Sequence, residues 1–248
     1  MKSVLFTSSI TKWSFALAAV VFSYLGLPET QREYISTEVK HKLITYFKMN
    51  EKKSIIEVGD RFSPNLSHVD KETAYYFGKI VRYSEKRPFQ KGPVLRWNQD
   101  IKIYLAGTVS KANKKEIIKV IIELNRLIKP LKINLVQKPA QANSIVYFGS
   151  LDGYNACLNT EKKLANDYYG HFHIKTFQQE IQKSTIYINT AKATLKRQKH
   201  IIREELTQSL GLINDAYDYP NSIFYQGYSE TTEFTTMDKA VIQLLYGN

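Results

Sequence analysis

Apolar and polar positions alternate along this chain in two periods, and the switch between them divides it. Residues 29–49 carry Ile35, Val39, Leu43, Tyr46 and Phe47 at helical spacing, which predicts an amphipathic helix with His41 on its polar side. A polar stretch over 50–69 contains Gly59, Pro64 and Asn65 and predicts a loop with a short strand at Ser54–Val58. A second helix is expected from Lys71 to Tyr83, with Asp70 as N-cap and an aromatic packing face of Tyr75, Tyr76 and Phe77. Ser84–Pro93 has the composition of a linker, and the domain boundary is placed there.

Beyond Val94 the alternation of Asp100–Leu105 predicts a strand. A helix follows from an N-cap at Ser110 to about Ile128, where Pro130 stops it. Strands are expected at Lys132–Val136, Ser144–Phe148 and Thr185–Asn189, with Gly149–Phe177 read as a long irregular loop between them. The last strand leads into a helix over about Ala191–Leu210. Leu195, Ile202, Leu206, Ser209 and Leu210 give it a mostly apolar arc. His200, Glu204 and Gln208 recur every four residues and stack along another side, with Glu205 at the edge of the apolar stripe. Gly211 can end the helix in a left-handed conformation and bring Asn214 and Asp215 back toward it.

The first residues add a compartment to this picture. Lys2 and Lys12 precede the apolar run Trp13–Leu27, which Pro28 ends. A basic flank followed by a short apolar run is the pattern of a secretory signal. The run is shorter than the ~20 residues of a full span. No strong cleavage site follows it, so a cleaved signal peptide and a retained signal anchor both stay open. In either case the body of the chain is expected to be exported: periplasmic, secreted, or held at the membrane facing outward.

Charge and cysteine narrow the chemistry. The 248 residues hold a net charge of +12, spread along the body and without an arginine-rich arm or nucleic-acid motif. Nucleic acid is therefore not an expected partner; the charge reads first as solubility, with phospholipid headgroups or acidic envelope polymers as the anionic partners it suits, and the membrane can be reached through Trp13–Leu27. Cys157 is the only cysteine, which excludes an internal disulfide and any CxxC metal site. It reads as a small structural hydrophobe rather than a nucleophile.

The segment Glu204-Glu205-Leu206-Thr207-Gln208-Ser209-Leu210-Gly211-Leu212 resembles the HExxHxxGxxH zinc helix of the metzincin peptidases with both helix histidines replaced. Aligned on Gly211, the resemblance places Glu204, Gln208 and Asn214 at the three ligand positions and Glu205 at the general base. Thr235–Gly247, with Asp238, Ile242, Leu245 and Tyr246 in register, resembles the C-terminal helix of matrix-type metzincins. Together with Pro220-Asn221-Ser222-Ile223-Phe224, these motifs are similar to a bacterial envelope family of unknown function that resembles a degenerate metzincin branch. The likeness covers about Trp97–Gly247. It implies an α+β, zincin-like fold: a mixed twisted sheet, two long helices and a C-terminal helix. Residues 1–28 would be the signal peptide or anchor, 29–93 a helical N-terminal segment and linker, and 94–248 the zincin-like domain.

The departures from that pattern decide the expected chemistry. Gln208 and Asn214 are poor zinc ligands, and the Met-turn is replaced by Tyr219–Phe224. No cofactor is expected; zinc would require other ligands, for which His171 and His173 in the long loop are the candidates beside Glu204 or Glu205. Three functions stand against each other. The first is a pseudo-enzyme that binds an envelope peptide, glycan or protein through the old cleft, with His200, Glu204, Gln208 and neighbouring tyrosines in contact. The second is a peptidase or glycosidase using Glu205 as base with Glu204 or Asp215 as partner. The third is a basic, membrane-anchored structural protein.

Overall fold

The computed structural model describes residues 62, 66–84, 87–158 and 168–247. The Trp13–Leu27 run, the helix over 29–49 and the strand at Ser54–Val58 lie outside the described residues.

Helix α1 (Lys71–Arg82) begins where Asp70 accepts the Thr73 amide at 2.9 Å. Its buried stripe is Tyr76, Phe77, Ile80 and Val81, which joins the main core. A two-residue strand β1 (Tyr83–Ser84) and β2 (Arg87–Lys91) pair antiparallel, so the linker-like stretch carries a hairpin. After β3 (Arg96–Trp97) the main sheet is built from β4 (Ile101–Gly107), β5 (Ile133–Leu135), β6 (Ser144–Gly149), β7 (Gly170–Phe177) and β8 (Glu180–Asn189).

In space the sheet runs β3-β8-β6-β4-β5, all parallel, with β7 antiparallel beside β8. Register assigns its two faces. Ile103, Val146, Ile186 and Ile188 share one face, with Phe172 and Ile174 of β7 aligned to it. Helix α2 (Lys111–Leu127) and α4 (Leu195–Gln208) pack there, burying Ile117, Val120, Leu124, Ile201 and Ile202. Ser110 caps α2 by accepting the Asn113 amide, and Thr194 caps α4 by accepting that of Arg197. Tyr147, Tyr187, His171 and His173 share the opposite face, near α3 (Leu151–Leu158) and its Tyr154.

The fold is thus mixed α/β, with five helices among the described residues and a mostly parallel sheet. The stretch expected to be one long loop, Gly149–Phe177, instead holds α3 and the eight-residue strand β7. The strand escapes notice because the hairpin joining it to β8 turns on Gln178 and Gln179, both at positive φ (48° and 68°). Such turns ordinarily announce themselves with Asn-Gly. Cys157 lies exposed on α3 rather than packed, a correction to its structural reading. No helix among the described residues is long and apolar enough to cross a membrane.

The C-terminal helix α5 (Thr236–Tyr246) locks the rest. Thr235 and Asp238 form a reciprocal capping box. Asp238 is fully buried and also accepts the Ser222 hydroxyl at 2.5 Å, while Tyr76 of α1 bonds that hydroxyl at 3.0 Å. At the other end the Tyr246 hydroxyl donates to the Leu210 carbonyl at 2.5 Å and accepts the Trp97 amide. Trp97 in turn donates its indole N–H to the Ser209 carbonyl at 3.0 Å. Burial drives the Asp238 carboxyl above its ordinary range, and the Tyr246 hydroxyl likewise.

Candidate functional site

The four-residue spacing places His200, Glu204 and Gln208 along one side of α4, away from its apolar arc. That side is largely covered: His200 is 2% exposed and Gln208 5%, with Glu204 half-buried between them. The segment after the helix, residues 216–234, wraps back over this face. The His200 Nδ1 lies 2.7 Å from the Thr231 carbonyl oxygen. A carbonyl only accepts, so Nδ1 carries the hydrogen and Nε2 faces Glu204 at 3.1 Å. Gln208 donates its amide to Asp215 Oδ1 at 2.5 Å.

Asn214 does not join this row. Its side-chain amide donates to the carbonyls of Lys79 and Ile80, and its backbone amide to Ile80 as well. It therefore closes the C-terminal turn of α1, whose last carbonyls have no partner within the helix. The residue that the resemblance sets at the third ligand position is a clamp on α1.

Glu205 stands apart from both. It is buried, and it lies against Gly170 of β7: a Cβ placed there would come within 2.5 Å of Glu205 Oε1 and 2.2 Å of Ile201 Cγ2. Glycine is what lets the edge strand approach the helix so closely. Burial, then the charges of Glu204 and Asp215, push the Glu205 carboxyl well above the ordinary range, and the Arg197 guanidinium opposes them. Because the folded value is raised, the stabilising contribution is full at acid pH and fades as pH climbs from the ordinary carboxylate range through the folded value. Glu205→Gln should therefore raise stability by about 1–3 kcal/mol at alkaline pH and leave it little changed near pH 4. Urea titrations of both proteins across that range measure the difference. An equal effect at both ends would contradict a buried, protonated Glu205.

The geometry also decides the histidine pair. Gly170 faces α4, so in strand β7 His171 and His173 point to the other side of the sheet. His171 stacks on Tyr168 at 5.9 Å between ring centroids and pairs across the sheet with Tyr187. The two imidazoles therefore do not meet Glu204 or Glu205. Among the described residues no three His, Cys, Asp or Glu side chains are placed to hold a metal ion. A catalytic zinc does not fit this donor set: Gln208 and Asn214 offer only neutral amide oxygens, and Asn214 is held on α1, away from Gln208.

Two residues with large roles carried no signal in the sequence. Arg203 is fully buried on α4, paired to Glu123 at 2.6 Å and Glu116 at 3.6 Å, with Phe234 beneath its guanidinium at 4.3 Å. Arg197 lies between the rings of Tyr169 and Tyr228 and donates to the Ser229 carbonyl. Of the tyrosines near the site, Tyr228 is 76% exposed, with its ring against Arg197 and its hydroxyl bonded to Glu230. Tyr219 is spent on α1, donating to Glu72 and packing edge-on against Tyr76.

A mixed α/β domain with a carboxylate helix behind an antiparallel edge strand is the class that fold and site define. The chain belongs to the family described as "Protein of unknown function (DUF2927)", whose model matches residues 70–248. No curated protein matches it. Among solved structures it is similar to two of myroilysin. One is titled "Crystal structure of myroilysin", with 10% identity, TM-score 0.42, and coverage of 62% of this chain and 86% of that one. The other is titled "Structure of myroilysin", with 10% identity, TM-score 0.40, and coverage of 62% and 96%.

Proposed function

We propose that the domain is an exported, zincin-like pseudo-enzyme whose former ligand helix now serves a binding surface for an envelope peptide, glycan or protein. One observation carries the reading. Each side chain at a ligand position is engaged by a neighbour: Glu204 by His200, Gln208 by Asp215, and Asn214 by the carbonyls of α1. A metal at Glu204 would compete with His200, and at Gln208 and Asn214 it would find only neutral amide oxygens, on groups held by the bonds their nitrogens donate. Export and envelope location rest on Lys2, Lys12 and the Trp13–Leu27 run, and mass spectrometry of the mature N-terminus tests them. A protein still carrying an intact Trp13–Leu27 would be held at the membrane by its anchor.

The test of the binding reading is metal stoichiometry. Full-length protein equilibrated with zinc and then dialysed should retain well under one ion per chain, with no shift in melting temperature. One retained zinc per chain, lost in Gln208→Ala, would overturn the reading.

A second reading is supported by the raised Glu205 carboxyl, since burial and the charges of Glu204 and Asp215 favour its protonated form, as a general acid or base needs. It makes the domain a metal-independent peptidase or glycosidase with Asp215 or Glu204 as partner. Turnover of peptide or glycan substrates that Glu205→Gln abolishes would select it over the first.

A further inference from the structure

Helix α2 has two acidic residues, Glu116 and Glu123, and both turn inward to Arg203. What remains on its outer face is one sign of charge. Lys111, Lys114, Lys115, Lys119 and Arg126 are exposed along the helix, and Lys129 is exposed just past its end. Glu233 is the acid that faces them, and Lys119 takes it at 2.5 Å. Lys239 lies close enough to act on Glu233 as well.

Two large apolar side chains sit within this basic face. Ile118 is 39% exposed and Ile122 49%, although the same helix buries Ile117, Val120, Ile121 and Leu124 against the sheet. At 3.6 residues per turn Ile118 and Ile122 stack one turn apart at the middle of the outward arc. Lys114 flanks them on one side, Lys115 and Arg126 on the other. Nothing in the fold calls for isoleucine at these positions, where lysine or glutamate would propagate the helix as well.

We propose that the outer face of α2 is a docking surface for an anionic phospholipid membrane. An apolar centre rimmed by cations matches the headgroup boundary, where isoleucine enters the acyl region and lysine stems reach back to phosphate. A soluble polyanion would use the cations and leave the isoleucines in water. The inference stands independently of what the carboxylate helix binds.

The experiment is co-sedimentation of the full chain with phosphatidylglycerol–phosphatidylcholine vesicles and with phosphatidylcholine alone. The Trp13–Leu27 run partitions into both, so the difference between the two reports the basic surface, which the two lysine sets divide. Each cation near the surface is worth roughly a fivefold change in partitioning at low salt. Lys114→Gln/Lys115→Gln/Arg126→Gln should therefore lower binding to the anionic vesicles by at least tenfold. Lys102→Gln/Lys175→Gln/Lys183→Gln, on the opposite face of the sheet, should lower it far less. Ile118→Ser/Ile122→Ser should weaken vesicle binding and leave retention on immobilised polyphosphate unchanged. Equal losses from the two lysine sets would overturn the proposal. So would an isoleucine pair that binds vesicles like the parent, which would make a soluble polyanion the occupant. All these side chains are exposed, so circular dichroism should match the parent. Single substitutions Lys115→Gln and Ile122→Ser replace any set that does not.

Discussion

Replacing Arg203 with alanine should lower the unfolding free energy by about 3–5 kcal/mol, the range for breaking a buried ion pair from one side. The guanidinium has no exposure, and its loss would leave Glu116 and Glu123, stacked two turns apart on α2, turned toward α4 without the cation that pairs with both. The aromatic contact with Phe234 disappears at the same time, loosening the wrap that covers His200. Lysine should not rescue, because Glu123 is held by two guanidinium nitrogens at once, at 2.6 and 3.3 Å. Removing the whole group should cost far less: Arg203→Met with Glu116→Leu and Glu123→Gln restores most of the loss by taking the unpaired charges away together. Urea denaturation of the three proteins measures this. A single-mutant loss below about 1 kcal/mol would mean that water reaches the pair.

Arg203 also marks where the sequence stops being informative. Periodicity finds one apolar stripe per helix, and on α4 it finds the stripe that faces the sheet, including Ile202 and Leu206. Even there Leu195, counted in the arc, is 49% exposed because it opens the helix beyond the sheet's cover. The second buried face of α4 is polar and is covered by residues 216–234, far down the chain. No spacing rule announces that Thr231 will meet His200 or that Phe234 will lie under Arg203. Strands β4, β5 and β6, the second half of β8 and helix α2 were legible from their apolar spacing, whereas the short β1, β2 and β3 were not. β7 was not, because its turn uses glutamines at positive φ and its outward residues are histidine and lysine. Among the site residues, Gln208 meets Asp215, Glu204 pairs with His200, and Glu205, on the sheet side of α4, lies near enough to feel the charges of Glu204 and Asp215. Asn214, His171 and His173 do not join them, since strand alternation and the carbonyls of α1 claim them first.

The glycine at the end of α4 should be the least replaceable residue of the motif. Gly211 sits at φ +114°, a conformation that costs other residues about 1–3 kcal/mol. A Cβ there would also lie 2.0 Å from the Leu95 carbonyl oxygen and 2.9 Å from its carbon. That backbone cannot retreat: two residues on, Trp97 donates to the Ser209 carbonyl, and its amide is held by Tyr246, which also holds Leu210. The clash and the strained backbone therefore add, and Gly211→Ala should lose more than about 3 kcal/mol or fail to accumulate as folded protein. Gly227→Ala provides the contrast. Its Cβ would meet only the ring of Tyr225, a side chain that can swing aside, and its φ is not positive. A small loss at Gly227 beside a large one at Gly211 would assign the effect to the turn. Comparable small losses at both would mean that β3 and α5 yield. In that case the turn could not be what holds Asn214 on α1 and Asp215 against Gln208.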